Sequence, residues 1–292
     1  MIREKASLGL CAMNIETYNV CNLRCVMCSY PKMTREKVQM SMDLFRKIID
    51  DAAQSGIRRV CLHLYSEPLL DSLLFERIKY VKSKGLWVEF ASNGTPLTRD
   101  KIDLILDSGL DSINFSIDAA TRETYRKIRG ADFDRTRNNI IKLIEEREKR
   151  GCKKPLISTS FVVERDNYRE IKEFISFWKK RADRIGIWRV DDRRQEGLVP
   201  YKTKPTHVYP CPMLFTSCAV MSNGKVVLCC LDYDGSTVIG DLNNQSLAEI
   251  WNSKKFTKIR QAHINRHGDK IKLCKNLRCD LIYTQGSYLW WV

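Results

Sequence analysis

Between Asn14 and about Val190, short apolar runs alternate with longer stretches whose apolar residues recur every three or four positions. The runs fall at residues 13–20, 59–65, 87–91, 112–117, 156–163 and 184–190 and read as six strands. Strands separated by helices in this regular way imply a parallel α/β architecture. The intervening helices carry their own punctuation. Ser41 stands as N-cap ahead of Leu44, Phe45, Ile48, Ile49 and Ala52, and Gly56 ends that helix. Asp71 is placed to cap a helix with Leu74, Ile78 and Val81 on one face, closed by Gly85. Thr98 opens a third helix (Ile102, Ile105, Leu106) that stops at Gly109. A fourth, ending at Gly151, buries Ile140, Ile141 and Ile144, and a fifth carries Ile171, Phe174, Ile175 and Trp178. Six such units are too few to close an eight-stranded barrel.

Directly after the first run, Cys21, Cys25 and Cys28 stand in C-x3-C-x2-C spacing. Three thiolates so close can hold three corners of a cubane iron–sulfur cluster and leave one iron without a protein ligand, where a small molecule coordinates. A structural zinc site pairs its ligands as C-x2-C or C-x4-C and needs four of them. In parallel α/β folds the chemistry sits at the C-terminal ends of the strands, and the other suggestive segments lie there too. Tyr65-Ser66-Glu67-Pro68 follows the second strand, Ser92-Asn93-Gly94 the third, and Ser116-Ile117-Asp118 ends the fourth, followed by Thr124 to Gly130.

In their order and spacing these residues resemble the radical S-adenosylmethionine (SAM) superfamily. The resemblance runs from about Asn14 to Cys279 and implies an open (β/α)6 partial barrel, TIM-like. It also implies a [4Fe–4S] cluster on Cys21, Cys25 and Cys28, with SAM chelating the fourth iron. Tyr65, Ser66 and Glu67 take the place of the family's G-G-E-P segment, whose backbone binds the SAM amino group; both glycines are replaced here. Asn93 matches its T-N-G. Ser116 and Asp118 match its S-x-D, which contacts the SAM ribose and carboxylate, and Arg129 is positioned to pair with the SAM carboxylate bidentately. Met27 stands where many members place an aromatic residue against the adenine, and a thioether also packs on a purine.

Residues 191–210 are polar and rich in proline and read as a linker between a partial barrel (1–190) and a C-terminal unit (211–292). In that unit Asn223-Gly224 marks a hairpin turn that brings Cys211 towards Cys229. Ser246 caps a short helix ending at Trp251, and Cys274 and Cys279 follow. This pattern resembles the SPASM and twitch extensions of radical SAM enzymes. With only two late cysteines it implies the shorter twitch form, a β-hairpin plus helix holding one auxiliary [4Fe–4S] cluster on Cys211, Cys229, Cys274 and Cys279. Whether Cys229 or the adjacent Cys230 ligates is open. His263-x3-His267 offers zinc as a rival, although the basic surroundings (Arg260, Arg266) favour a solvated helix end. Cys11, Cys61 and Cys152 read as buried small hydrophobes.

Composition sets outer bounds. The chain of 292 residues has no signal peptide and no apolar run long enough to span a bilayer, so a cytoplasmic location is expected. Twelve cysteines in a reducing compartment argue for clusters rather than disulfides. The formal charge of +15 is spread over helix faces and rarely alternates with aromatics, which makes nucleic acid an unfavoured partner.

The resemblance implies cleavage of SAM to a 5′-deoxyadenosyl radical that abstracts a hydrogen atom from a small-molecule substrate, a sugar, cyclitol or natural-product intermediate; the basic charge would suit an anionic one. The outcome is oxidation, with Asp232 as candidate base, or epimerisation, with Cys218 or Cys230 as hydrogen-atom donor. An electron donor such as flavodoxin or ferredoxin is implied. A peptide maturase is the alternative within the family. From another class come a zinc-stabilised basic nucleic-acid binder and a SAM binder that no longer cleaves.

Overall fold

The computed structural model describes residues 12–189, 209–277 and 288–291. Six strands, β1 (Ala12–Ile15), β2 (Arg59–Cys61), β3 (Trp87–Ser92), β4 (Ser112–Ser116), β5 (Leu156–Val163) and β6 (Arg184–Arg189), pair in sequence order and all run parallel. Six helices connect them: α1 (Met42–Gln54), α2 (Leu74–Ser83), α3 (Arg99–Asp107), α4 (Arg122–Arg129), α5 (Phe133–Lys149) and α6 (Ile171–Trp178). They bury one shared core. Alternate strand residues (Met13, Val60, Val88, Ile113, Phe161, Ile187) meet Phe45, Ile78, Ile105, Leu143 and Phe174 from the helices. The opposite face carries half-buried Asn14, His63, Ala91, Asn114 and Ser116. The sheet stays open, as six strands require.

The C-terminal segment does not build a sheet of its own. After α7 (Met213–Thr216), strand β7 (Ser217–Val220) pairs parallel with β1. Strands β8 (Lys225–Val227) and β9 (Val238–Asp241) then continue antiparallel. β10 (Tyr288–Trp291) pairs antiparallel with β6, giving one ten-stranded sheet. The physical reason is the open barrel itself, because β1 and β6 would otherwise present unpaired backbone groups that the later strands satisfy. Asn223 and Gly224 form the expected hairpin turn, Gly224 at φ 83°. The remaining helices are α8 (Leu247–Trp251), α9 (Lys254–Ile264) and α10 (Lys272–Leu277). α8 opens with a full capping box between Ser246 and Glu249. Cys11 and the expected linker as far as residue 208 lie outside the described residues.

Local punctuation is mostly where the sequence puts it. Ser41 Oγ accepts the Leu44 N–H, and Gly85 follows α2 at φ 72°. Thr98 is the N-cap of α3 but makes no side-chain cap bond. Ile141 is only half-buried, with Leu143 taking the inner position on α5. β1 and β2 are shorter than their apolar runs, because the chain leaves the sheet early to form the loops at its C-terminal edge.

Asp71 is a correction. Leu73 is the N-cap of α2, and the Asp71 carboxylate instead accepts from the Leu73 N–H (2.9 Å) and from Arg77 Nε (3.0 Å). Both members of that ion pair are fully buried, and the Arg77 guanidinium lies 4.9 Å from the Phe45 ring centroid. Breaking a buried pair leaves an uncompensated charge. Asp71→Ala should therefore lower stability by about 3–5 kcal/mol. The exposed Asp43→Ala should stay within about 0.5 kcal/mol of wild type. Urea unfolding midpoints of the two variants check this.

Candidate active site: two cysteine centres

The loop after β1 carries Cys21, Cys25 and Cys28 at the C-terminal edge of the parallel strands, and each sulfur meets an N–H donor. Cys21 Sγ accepts from the Leu23 amide (3.5 Å) and from Asn93 Nδ2 (3.8 Å). Cys28 Sγ accepts from the Tyr30 amide (3.4 Å), and Cys25 Sγ from Arg129 Nη1 (3.4 Å). Donors aimed at sulfur favour the thiolate form that ligates metal. Burial pushes the Cys21 thiol up to about 11, with the Leu23 amide opposing it. Three cysteines on one loop, each sulfur met by an N–H donor, suit an iron–sulfur cluster, whose iron would supply the positive charge a thiolate needs.

The segments expected to surround SAM do meet at this edge, but several of their side chains serve one another. Glu67 is 1% exposed; its Oε1 accepts from Ser92 Oγ (2.8 Å) and Leu69 N–H (3.1 Å), its Oε2 from Asn93 N–H (2.7 Å). Burial raises its pKa and these donors oppose the rise. Its carboxylate thus fastens β2 to β3, leaving the backbone around Tyr65 and Ser66 as the segment's contribution to a ligand. Asn93 links Cys21 to Asn22 Oδ1 (3.0 Å).

Asp118 has no exposed surface and a left-handed φ of 63°. Its Oδ1 accepts the Val162 N–H (2.7 Å) and its Oδ2 an Arg129 Nη2–H. Direct contact of its carboxylate with ligand is therefore revised, since the group anchors Arg129. Arg129 in turn is engaged by Asp118 and Cys25 rather than standing open to a carboxylate. Burial works against its charge, and Asp118 and Cys25 more than restore it. Ser116 and Met27 are half-buried at the same edge.

Cys211, Cys229 and Cys274 all pack against the main core, and His263 stands between the Cys211 amide and the Cys274 sulfur. Cys229 Sγ accepts the Leu231 N–H (3.4 Å), the same two-residue pattern seen at Cys21 and Cys28. Cys230 belongs to a small cluster on the opposite face with Met221, Val227 and Leu64. Cys279 lies outside the described residues.

His263 corrects the expectation of a solvated helix end. It has no exposed surface, its Nδ1 accepts the Cys211 N–H (3.4 Å), and its Nε2 lies 3.6 Å from Cys274 Sγ. Gly268 makes room for the ring, because a Cβ there would come within 2.6 Å of it. His267 is exposed as expected.

Cys218 sits on the core face of β7, with Val220, and so points away from the face that carries Cys230. Asp232 is 4% exposed; its Oδ1 accepts from the Ser236 amide (2.8 Å) and hydroxyl (2.9 Å), its Oδ2 from the Thr237 amide (2.7 Å). That geometry holds a turn and leaves the carboxylate no open face for a base. Cys152 is half-exposed, and Cys61, though buried, lies 3.2 Å from His63 Nδ1 rather than among hydrophobes alone.

Three groups were not singled out by sequence reasoning. Glu16, fully buried after β1, pairs with Arg35. His63 Nδ1 accepts the Ala91 N–H (3.0 Å), and burial lowers its pKa to about 4. Glu164, just past β5, has no exposed surface, and among the described residues neither carboxylate oxygen has a hydrogen-bond partner. The available signal was a charged residue inside the first apolar run at Glu16 and one directly abutting the fifth at Glu164.

A family model described as the radical SAM superfamily matches residues 15–177, more than half of the chain. The chain belongs to this superfamily. A second model, SPASM, an iron–sulfur cluster-binding domain, matches residues 211–280. The chain thus joins a radical SAM domain to an iron–sulfur cluster-binding domain, and its cofactors are [4Fe–4S] clusters and SAM.

The tungsten-containing aldehyde ferredoxin oxidoreductase cofactor-modifying protein of Pyrococcus furiosus is 30% identical over 165 residues, 56% of this chain and 46% of its own. The AdoMet-dependent heme synthase of Methanosarcina barkeri is 32% identical over 119 residues, 40% of this chain and 34% of its own. The chain spans less than half the length of these relatives. SuiB of Streptococcus suis bound to S-adenosylmethionine superposes with TM-score 0.72 at 16% identity, over 87% of this chain and 68% of SuiB. BtrN in complex with AdoMet and 2-DOIA superposes with TM-score 0.63 at 17% identity, over 96% of this chain and 98% of BtrN. At such identities the likeness is one of fold. No described helix is long and apolar enough to cross a membrane.

Glu164 gives this radical SAM barrel a pH signature. Burial, with Asp166 and Asp118 adding to it and Lys127 opposing, pushes its carboxyl from 4.5 up to about 7. The folded state therefore keeps a proton that the unfolded chain releases, and stability falls as pH rises through that window. Glu164→Gln should remove this decline, matching wild type near pH 4 and exceeding it near pH 8 in urea midpoint.

Proposed function

We propose that this chain abstracts a hydrogen atom from a small, polar natural-product substrate and completes either an oxidation or an epimerisation. When bound, SAM and the three-cysteine cluster supply a 5′-deoxyadenosyl radical, and the auxiliary cluster an acceptor for the electron left on the substrate. The observation that carries the reading is the set of N–H donors meeting Cys21, Cys25 and Cys28 at the strand edge.

The chain's own residues divide the remaining work. Cys21, Cys25 and Cys28 hold the first cluster, and Arg129 stabilises the Cys25 thiolate. The backbone at Tyr65 and Ser66, with Asn93, Ser116 and Met27, lines the place for SAM. Cys211, Cys229, Cys274 and Cys279 hold one auxiliary cluster, with Cys229 preferred over Cys230 because of the Leu231 amide on its sulfur. We set the partial barrel at 1–190, the linker at 191–210 and the cluster-binding unit at 211–292.

Cys230 supports the epimerisation outcome, because it shares a face with Leu64, the neighbour of Tyr65. Cys218 and Asp232 have no comparable support. Electrons for the first cluster would come from a flavodoxin or ferredoxin. A precursor-peptide substrate is the second reading, favoured by the likeness in fold to SuiB bound to its precursor peptide SuiA (TM-score 0.72).

Anaerobically reconstituted protein should hold about eight irons per chain, and about four when Cys21, Cys25 and Cys28 are all changed to Ala. Reduced protein should convert SAM to 5′-deoxyadenosine, and Cys25→Ala should abolish this. Zinc without iron would refute the reading. Deuterium transfer into 5′-deoxyadenosine from labelled cyclitols or from labelled peptide separates the two substrate classes.

A further inference from the structure

The replacement of the first family glycine by Tyr65 has a partner in the C-terminal part of the chain. The Tyr65 ring meets the Tyr233 ring edge-on, at a centroid distance of 6.0 Å and 70°. Tyr233 belongs to the turn that follows Cys229. A guanidinium fastens that turn to the loop of the first cluster: Arg35 Nε donates to the Tyr233 carbonyl (2.7 Å). Its Nη1 and Nη2 grip the buried Glu16 carboxylate (2.8 and 3.1 Å). Glu16 Oε1 also accepts the Tyr65 N–H (3.2 Å). One residue on either side, the Thr34 amide and hydroxyl donate to Asp234 (2.7 and 2.8 Å). Tyr65 is thus held at its amide by Glu16 and at its ring by Tyr233, and Arg35 binds both holders together.

We propose that Arg35 and Tyr233 are positioning residues through which the turn after Cys229 sets the affinity for SAM. The proposal rests on the reading that the Tyr65–Pro68 backbone receives SAM. An exposed pair of this composition would contribute little, but Glu16 is fully buried and Arg35 nearly so. The bidentate fork is therefore held in one geometry, not averaged over rotamers. The two glycines of the family segment are flexible, and here rigidity comes from outside the segment. Outer partners that orient metal ligands are typically worth about 10–100-fold in metal affinity or activity, and an effect of that order is expected for this segment.

The test is equilibrium dialysis of labelled SAM against reconstituted, reduced protein, with iron and sulfide measured on each sample. Arg35→Lys keeps the charge facing Glu16 but loses the fork, and Tyr233→Ala removes only the ring. Both should weaken SAM binding about ten-fold or more with iron and sulfide unchanged. At saturating SAM the electron paramagnetic resonance spectrum of the first cluster should return to the wild-type form, since the bound geometry is intact. Unchanged SAM affinity in both variants would overturn the proposal, as would a loss of binding that tracks a loss of iron. Wild-type protein that carries the first cluster yet binds no SAM would instead overturn the underlying reading, before any substitution is considered.

Discussion

The position of the first cysteine loop depends on a buried carboxylate. Glu67 gives up almost all contact with water, a cost that is met only because three donors converge on it. Two of those donors, Ser92 Oγ and Asn93 N–H, stand at the end of β3. The Glu67 amide reaches back to the Val20 carbonyl (2.9 Å) at the start of the cysteine loop. One residue thereby fixes the spacing of three strand ends, and Asn93 passes that spacing on to Cys21. The order in which the family motifs follow one another along the chain reflects this cross-linking at the sheet edge.

A second line of charge runs from Cys25 through Arg129 to Asp118 and the Val162 amide. Asp118 has a left-handed backbone that a non-glycine residue adopts at a cost of about 1–3 kcal/mol. The compensation is specific, because only from that conformation does its carboxylate sit between Arg129 and β5. Its carbonyl meanwhile accepts from Asn167 Nδ2 (2.9 Å). Conserving the charge balance of this line is what lets a cationic side chain and an anionic sulfur share a buried site. Glu164, whose carboxylate oxygens have no hydrogen-bond partner among the described residues, stands outside that balance.

Much of this was legible in the chain because the signals are local. The helix at Ser41, the hairpin at Gly224 and the helix cap at Ser246 each need only a few neighbouring residues, and each formed as read. The cysteine spacing and the segments at Glu67, Asn93 and Asp118 marked the right edge of the sheet. What those residues touch was not legible, because the partners are tens of residues away. Asp71 read as a cap, since nothing nearby reveals that Arg77 is buried against it.

The basic stretch around His263 read as solvated surface. Yet Arg260 is 1% exposed, lying 3.8 Å from the Phe256 ring centroid and 4.3 Å from that of Trp251, and donating to the Leu214 and Trp251 carbonyls. A guanidinium can be buried when rings and carbonyls receive it, and charge counting does not see that. The joining of β7 to β1 was invisible for a related reason, since a strand's partner across the sheet leaves no mark in its own sequence.

The central claim is that the three cysteines leave one iron for SAM. Electron–nuclear double resonance on the reduced protein, with SAM carrying 15N in its amino group and 17O in its carboxylate, tests it most directly. The account predicts hyperfine coupling of both nuclei to the cluster held by Cys21, Cys25 and Cys28. It also predicts that this coupling disappears when Cys25 is changed to Ala. A reduced three-cysteine cluster with SAM present and no such coupling would contradict it.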